Sequence, residues 1–128
     1  MLFRSLAGIT GQKRFAEAAE KTLALFAGRF QKAPQAMPFL LQALDFWLQE
    51  PARVVITGQR DSARLQELLR AAHSIYQPNK IVMGNTGAVE DFSKTLPAKG
   101  EATAYICHGN TCRAPTDAPA SLVEALKS

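Results

Sequence analysis

The chain has 128 residues, of which 47% are hydrophobic and 20% charged, values that fit one domain, or a small domain plus an appendage, and argue against a disordered chain. Its net charge of +4 comes from scattered lysines and arginines with no basic stripe between aromatic residues, so we expect no nucleic-acid partner. Two cysteines, no signal peptide and no apolar run of about 20 residues predict a cytoplasmic protein without a membrane partner.

The first 50 residues show the periodicity of packed helices. A short apolar start ends at Gly8 and Gly11, and a helix is predicted from about residue 12 to residue 30, with apolar side chains every three or four positions. Another helix is predicted from Pro34 to Gln49, because proline suits a first helical turn and a further proline follows at position 51.

The helix predicted over residues 34–49 is apolar nearly all round. Leu40, Leu44 and Leu48 share one face, while Phe39 and Phe46 occupy much of the other. Such a helix is normally buried on nearly all sides, and two neighbouring helices plus a small module cannot easily cover it. We therefore expect the chain to be a piece of a larger protein, which on its own would self-associate through residues 36–48 or be marginally stable.

The pattern changes after Pro51 to short β-branched runs that alternate with helices. This order favours parallel strands joined by right-handed crossovers. The sequence therefore predicts a mixed α/β fold, with a helical segment over residues 1–50 and a three-stranded parallel α/β module over 51–128. The predicted elements are strands at 54–58, 80–84 and 102–107, a helix starting near residue 62, a short helix or turn over 88–94, and a last helix over 121–127.

Three loops follow the predicted strands at their carboxyl ends, where open parallel sheets bind ligands. If all three strands are parallel, these loops share one edge of the sheet, whereas His73 is expected at the opposite edge. The glycines lack the dense pattern of a phosphate loop, so they have the alternative role of letting the chain turn. The candidate ligand contacts at the shared edge are Gly58, Ser62, Gly84, Thr86 and His108.

The third loop contains both cysteines, Cys107 and Cys112, with His108 between them. Four interpretations stay open: packing in the core and holding a tight turn, a reversible disulfide, a metal site, and a catalytic thiol. The neighbouring residues 107 and 108 rarely point at the same ion, and the C-x4-C spacing differs from the C-x-x-C of redox motifs. We predict that the two cysteines lie close together, with no bound metal, no cofactor and no catalytic residue.

The order of these features resembles the C-terminal region of the thioredoxin-domain-containing family that includes spermatogenesis-associated protein 20, also called domain of unknown function 255. The resemblance spans nearly the whole chain, and the order and spacing of its segments make it more specific than any segment alone. The segments are Leu6–Gly11 with Phe15 and Ala19, Ala33–Pro38, Val54–Gly58, Tyr76–Lys80, and Ala104–Cys112 with Pro115.

The resemblance implies a parent protein several times longer, with an N-terminal thioredoxin-like domain and an (α/α)6 barrel similar to sugar epimerases and six-hairpin glycosidases. Residues 1–50 would then be the last barrel helices, with the remainder of the parent chain as their partner. We therefore expect a structural and interaction module without its own catalysis. The alternatives are a small thiol redox or metal-binding module that uses Cys107 and Cys112, and an anion- or nucleotide-binding unit at the strand edge.

Overall fold

Helices dominate the first half of the chain, and an α/β unit follows, in the computed structural model, which describes residues 2–128. The elements are α1 (Leu2–Thr10), α2 (Lys13–Lys32), a 3-10 turn (Pro34–Ala36), α3 (Pro38–Leu48), β1 (Ala52–Gly58), α4 (Ala63–Ser74), β2 (Lys80–Met83), α5 (Asp91–Lys94), β3 (Ala102–His108), β4 (Thr111–Cys112) and α6 (Pro119–Lys127). The predicted mixed α/β class is confirmed.

The four strands form one mixed sheet in the order β2-β1-β3-β4. Strands β1 and β2 are parallel, with Val54 opposite Val82. Strand β3 is antiparallel to β1, and β4 is antiparallel to β3. The prediction of a three-stranded parallel sheet is therefore wrong in both the direction of the third strand and the number of strands.

The physical reason lies in the connection between β2 and β3, residues 84–101. A parallel crossover has to carry the chain to the other end of the sheet, usually through a long helix. This connection contains only the four-residue helix α5 and returns to the edge that it left, because Ala102 pairs with Gly58 at the end of β1. The next strand must then run backwards.

One face of the sheet is covered by α4 and α6. Ser62 caps α4, since its hydroxyl accepts a hydrogen bond from the Leu65 amide at 3.4 Å. Apolar side chains at every second position of β1 and β3 point to this face, as the alternation of a strand requires. The buried residues of this layer are Val54, Ile56, Leu68, Ala71, Ala72, Ala102, Ala104, Ile106, Leu122 and Leu126.

The other face is covered by α1, α3 and the connection over residues 84–101. Phe46 of α3 packs against Val55 and Tyr105, and the Tyr105 hydroxyl donates a hydrogen bond to the Pro97 carbonyl at 2.6 Å. The connection therefore does more than join two strands, because it supplies the cover of this layer. Its partly buried contributors are Val89, Phe92 and Leu96.

The helical segment meets the sheet at Gly8 of α1, where an added Cβ atom would lie 2.4 Å from the Ile81 side chain. Helix α2 packs beside α1 and buries none of its residues. The predicted helix over 34–49 is shorter than expected, because Pro34 opens a 3-10 turn and Pro38 opens α3. Within residues 2–128, no helix combines the length and the hydrophobicity needed to cross a bilayer.

Replacing Leu122 by alanine should show where the stability of this fold lies. Leu122 of α6 is fully buried against α4, so the L122A variant should lose about 2–5 kcal/mol of unfolding free energy in urea titrations. The control is Leu48→Ala on exposed α3, which should cost less than about 0.5 kcal/mol. Equal losses in the two variants would contradict this assignment of the core.

Candidate functional site

The candidate ligand residues do not form one site, because β3 runs antiparallel to β1. Gly58, Gly84 and Thr86 line one groove at the carboxyl ends of β1 and β2. Ser62 lies beside them, but its hydroxyl caps α4. His108 follows Cys107, which pairs with Arg53 near the start of β1, so His108 lies at the opposite edge of the sheet. The expectation of one shared edge for all three loops is wrong.

The groove between α4 and the edge strand β2, here called the rim groove, has a volume of about 410 Å3. Its polar groups are Arg60, Asn85 and Thr86 where the strands end, and His73 toward the C-terminus of α4. The sequence placed His73 at the opposite edge, and its side chain lines this groove at the end near the C-terminus of α4, away from the ends of the strands. The apolar walls come from Ile56, Leu65, Leu69, Val82 and Met83.

The two cysteines join neighbouring strands in the β3–β4 hairpin. Cys107 and Cys112 are paired directly across the strands, with a Cα–Cα distance of 4.0 Å, and a disulfide links them. Gly109 is the first residue of the two-residue turn and has a φ of +54°, a conformation that glycine adopts readily. In this state neither sulfur is a thiolate, the form that binds metals or attacks a substrate.

Arg53 and Glu90 form a mostly buried ion pair at the start of β1. The Arg53 guanidinium donates to the Glu90 carboxylate at 2.7 Å, and the two side chains are 11% and 13% exposed. Arg53 also donates to the Gly109 carbonyl in the hairpin turn. The Glu90 carboxylate accepts from the backbone amides of Phe92 and Ser93, both at 3.0 Å, and so caps α5.

Sequence patterns did not reveal this pair, although one signal was available. Arg53 is a charged residue at the start of an apolar strand, and buried arginines need a partner. The partner lies 37 positions away in the connection, so spacing along the chain could not identify it. The pair links three segments that are distant in sequence: β1, the connection and the β3–β4 hairpin.

A cavity of about 270 Å3 lies next to this pair, between the helical segment and the α/β module. Arg4 of α1 lines it and stacks on the Trp47 ring of α3, with the guanidinium carbon 5.4 Å from the ring centre. The Glu90 amide donates to the Ile9 carbonyl at 2.8 Å. The charged side chains of Arg4, Arg53 and Glu90 therefore lie where α1 meets the sheet. Among residues 2–128, no three His, Cys, Asp or Glu side chains are grouped to hold a metal ion.

The fold described above is a mixed α/β one, and comparison with known proteins finds curated relatives of the chain. The chain is 31% identical to spermatogenesis-associated protein 20 from Homo sapiens and from Rattus norvegicus, and 30% identical to the protein from Mus musculus, each over 94% of this chain. The chain belongs to the spermatogenesis-associated protein 20 family, and it spans 16% of the length of these curated relatives. No protein-family model and no solved structure matches it significantly.

Removing the Glu90 carboxylate should destabilise the protein. The E90A variant leaves Arg53 mostly buried without its counter-ion, so the unfolding free energy should fall by about 3 kcal/mol. Asp91→Ala is the matched control, because it removes the adjacent carboxylate from an exposed pair with Lys94 and should cost less than about 1 kcal/mol. Urea denaturation followed by circular dichroism measures both, and a loss in E90A no larger than in D91A would show that the pair is dispensable.

Reducing the disulfide should have a moderate effect on stability. The bond closes a short loop with a sequence separation of 5, so its loss should lower the unfolding free energy by about 2 kcal/mol. The measurement is urea denaturation with and without a phosphine reductant. The Cys107→Ser/Cys112→Ser variant should have the stability of the reduced protein and show no response to reductant. A response in that variant would mean that the reductant acts elsewhere.

Proposed function

We propose that this chain is the C-terminal structural and interaction module of a longer protein and docks on the remainder of that protein through α2 and α3, without catalysis of its own. The observation that carries the proposal is the exposure of large apolar side chains on these two helices. Leu25 is 78% exposed, Phe39 81% and Leu48 74%, while α3 buries only Phe46. The exposed apolar side chains of these helices are Leu25, Phe39, Leu41 and Leu48, which lie on more than one side of α3, and we call them together the docking face.

Covering these side chains with a partner would stabilise the protein. Fully burying a leucine or phenylalanine side chain contributes about 1.5–3 kcal/mol, so leaving several exposed on neighbouring helices forgoes much of the stability of a small domain. Large exposed apolar surfaces mark interaction sites in soluble proteins. The length of the curated relatives, of which this chain spans 16%, supports a partner within the same polypeptide.

The resemblance described above suggests what that partner is. In this proposal residues 1–50 are the last helices of an (α/α)6 barrel, residues 51–128 form the terminal α/β module, and a thioredoxin-like domain precedes both. The parent protein is proposed to be cytoplasmic. In a reducing compartment Cys107 and Cys112 would be thiols. The strand pairing and the hydrogen bond from Arg53 to Gly109 would still hold the hairpin closed.

The second candidate is a thiol redox function of Cys107 and Cys112. The disulfide supports it, because the two sulfurs are placed to form and break one bond within a single hairpin. A metal-binding role would require the reduced thiolates and further ligands. Neither alternative accounts for the exposed docking face or for the length of the relatives, so the structural module remains the better-supported proposal.

The isolated 128-residue chain should self-associate through the docking face. Light scattering should show a mean mass that rises with concentration, and Trp47 fluorescence should shift to shorter wavelength as the face becomes covered. The Phe39→Lys/Leu48→Lys variant should stay monomeric over the same range, because two charges replace exposed apolar side chains.

A matched control separates apolar contact from a general effect of charge. Gln66 is exposed on α4, so Gln66→Lys adds a positive charge far from the docking face and should leave self-association unchanged. A stable monomer with shielded Trp47 at every concentration would contradict the proposal. Equal loss of association in both variants would also count against it, because the charge rather than the apolar face would then be responsible.

A further inference from the structure

The apolar and polar side chains of the rim groove are arranged in order along its length, and the docking proposal assigns them no role. Leu65, Leu69 and His73 are four residues apart along α4, so they line up on one face of the helix. At a rise of about 1.5 Å per residue, this row is about 12 Å long. Ile56 and Val82 line the groove from the sheet, which gives it an apolar channel with a polar group at each end.

The charge at the strand end of the groove is positive. Arg60 lines the groove there, and the ion pairs within 4.0 Å among residues 2–128 do not involve it. Thr86 and Asn85 add hydrogen-bonding groups beside it, although the Asn85 amide already donates to the Leu96 carbonyl at 3.1 Å. No aspartate or glutamate of the described residues lines the groove, so nothing within it neutralises Arg60.

The position and size of the groove match those of ligand sites. Its volume of about 410 Å3 falls in the range of sites for small molecules, about 300–1,000 Å3. Its Arg60 end lies at the carboxyl ends of two adjacent parallel strands, where α/β sheets bind ligands. An apolar wall with a few polar groups at defined positions is also the usual composition of such sites.

We propose that the rim groove binds an unbranched monocarboxylate of about eight carbons, which is short enough to lie along the row from Leu65 to His73. The carboxylate pairs with the Arg60 guanidinium and accepts a hydrogen bond from the Thr86 hydroxyl. The apolar body lies along Leu65, Leu69 and Val82 and ends near His73. This site is separate from the docking face, so it can be occupied whether or not the helices are covered.

Sodium octanoate is the probe for this site. Titrated into the 15N-labelled 128-residue chain, it should produce saturable amide shifts confined to residues 58–60, 65–73 and 82–86. The Arg60→Gln variant should bind octanoate at least about fivefold more weakly, which corresponds to the loss of one partly exposed charge pair. Octan-1-ol, with the same number of carbons and no charge, should bind the unmodified protein more weakly than octanoate by a similar factor.

Arg70→Gln is the matched control, since it removes an exposed arginine from α4 outside the groove and should leave octanoate binding unchanged. Shifts centred on α2 and α3, absence of saturable shifts at roughly 5 mM octanoate, or equal weakening in both arginine variants would overturn the site. Tighter binding of octyl phosphate than of octanoate, also lost in Arg60→Gln, would overturn the assignment of a carboxylate ligand. These readouts do not depend on self-association, so the docking proposal can fail without affecting them.

Discussion

Six successive residue pairs, from Arg53 opposite Cys107 to Gly58 opposite Ala102, hold β1 and β3 in antiparallel register. This pairing brings the β3–β4 turn to the start of β1, where the Gly109 carbonyl accepts a hydrogen bond from Arg53. It also leaves only two loops at the carboxyl ends of the parallel strands, the two that border the rim groove. The disulfide hairpin therefore lies at the start of β1, and the loops of the rim groove lie at the opposite end of that strand. Neither site can contribute a residue to the other.

The same register explains why the connection over residues 84–101 is long but contains little helix. It starts and ends at the carboxyl ends of β1 and β2. In between it crosses the face of the sheet that α4 and α6 do not cover, and Glu90 lies at the far end of this path, beside Arg53. On its return Pro97 accepts hydrogen bonds from Tyr105 and Thr57. The ion pair thus holds the far end of the connection against β1. The apolar side chains on either side of Glu90 complete the second layer of the core.

Much of this fold could be predicted from the sequence, because the strands after Pro51 are short β-branched runs between helices with clear periodicity. The direction of β3 could not be predicted. Residues 102–107 are buried on both faces, so β3 lacks the alternation of apolar and polar residues that is typical of antiparallel strands. Of the residues at the candidate sites, likewise, some could be predicted and others could not. Gly58, Gly84 and Thr86 were predictable from their place after parallel strands, whereas the contact of Arg53 with Glu90 depends on the path of the connection.

The short outer strands of the sheet bear on how the protein aggregates. An exposed strand edge invites pairing with another chain, and short edge strands reduce this hazard. Here β4 has two residues and β2 has four, and beyond β4 the edge of β3 is occupied by a bridge from Ala104 to Thr116. The proposed contacts between copies would therefore involve the helices, where side chains rather than backbone groups meet. Association of that kind would give globular clusters that disperse on dilution, in contrast to the growth of cross-β fibrils from an open strand edge.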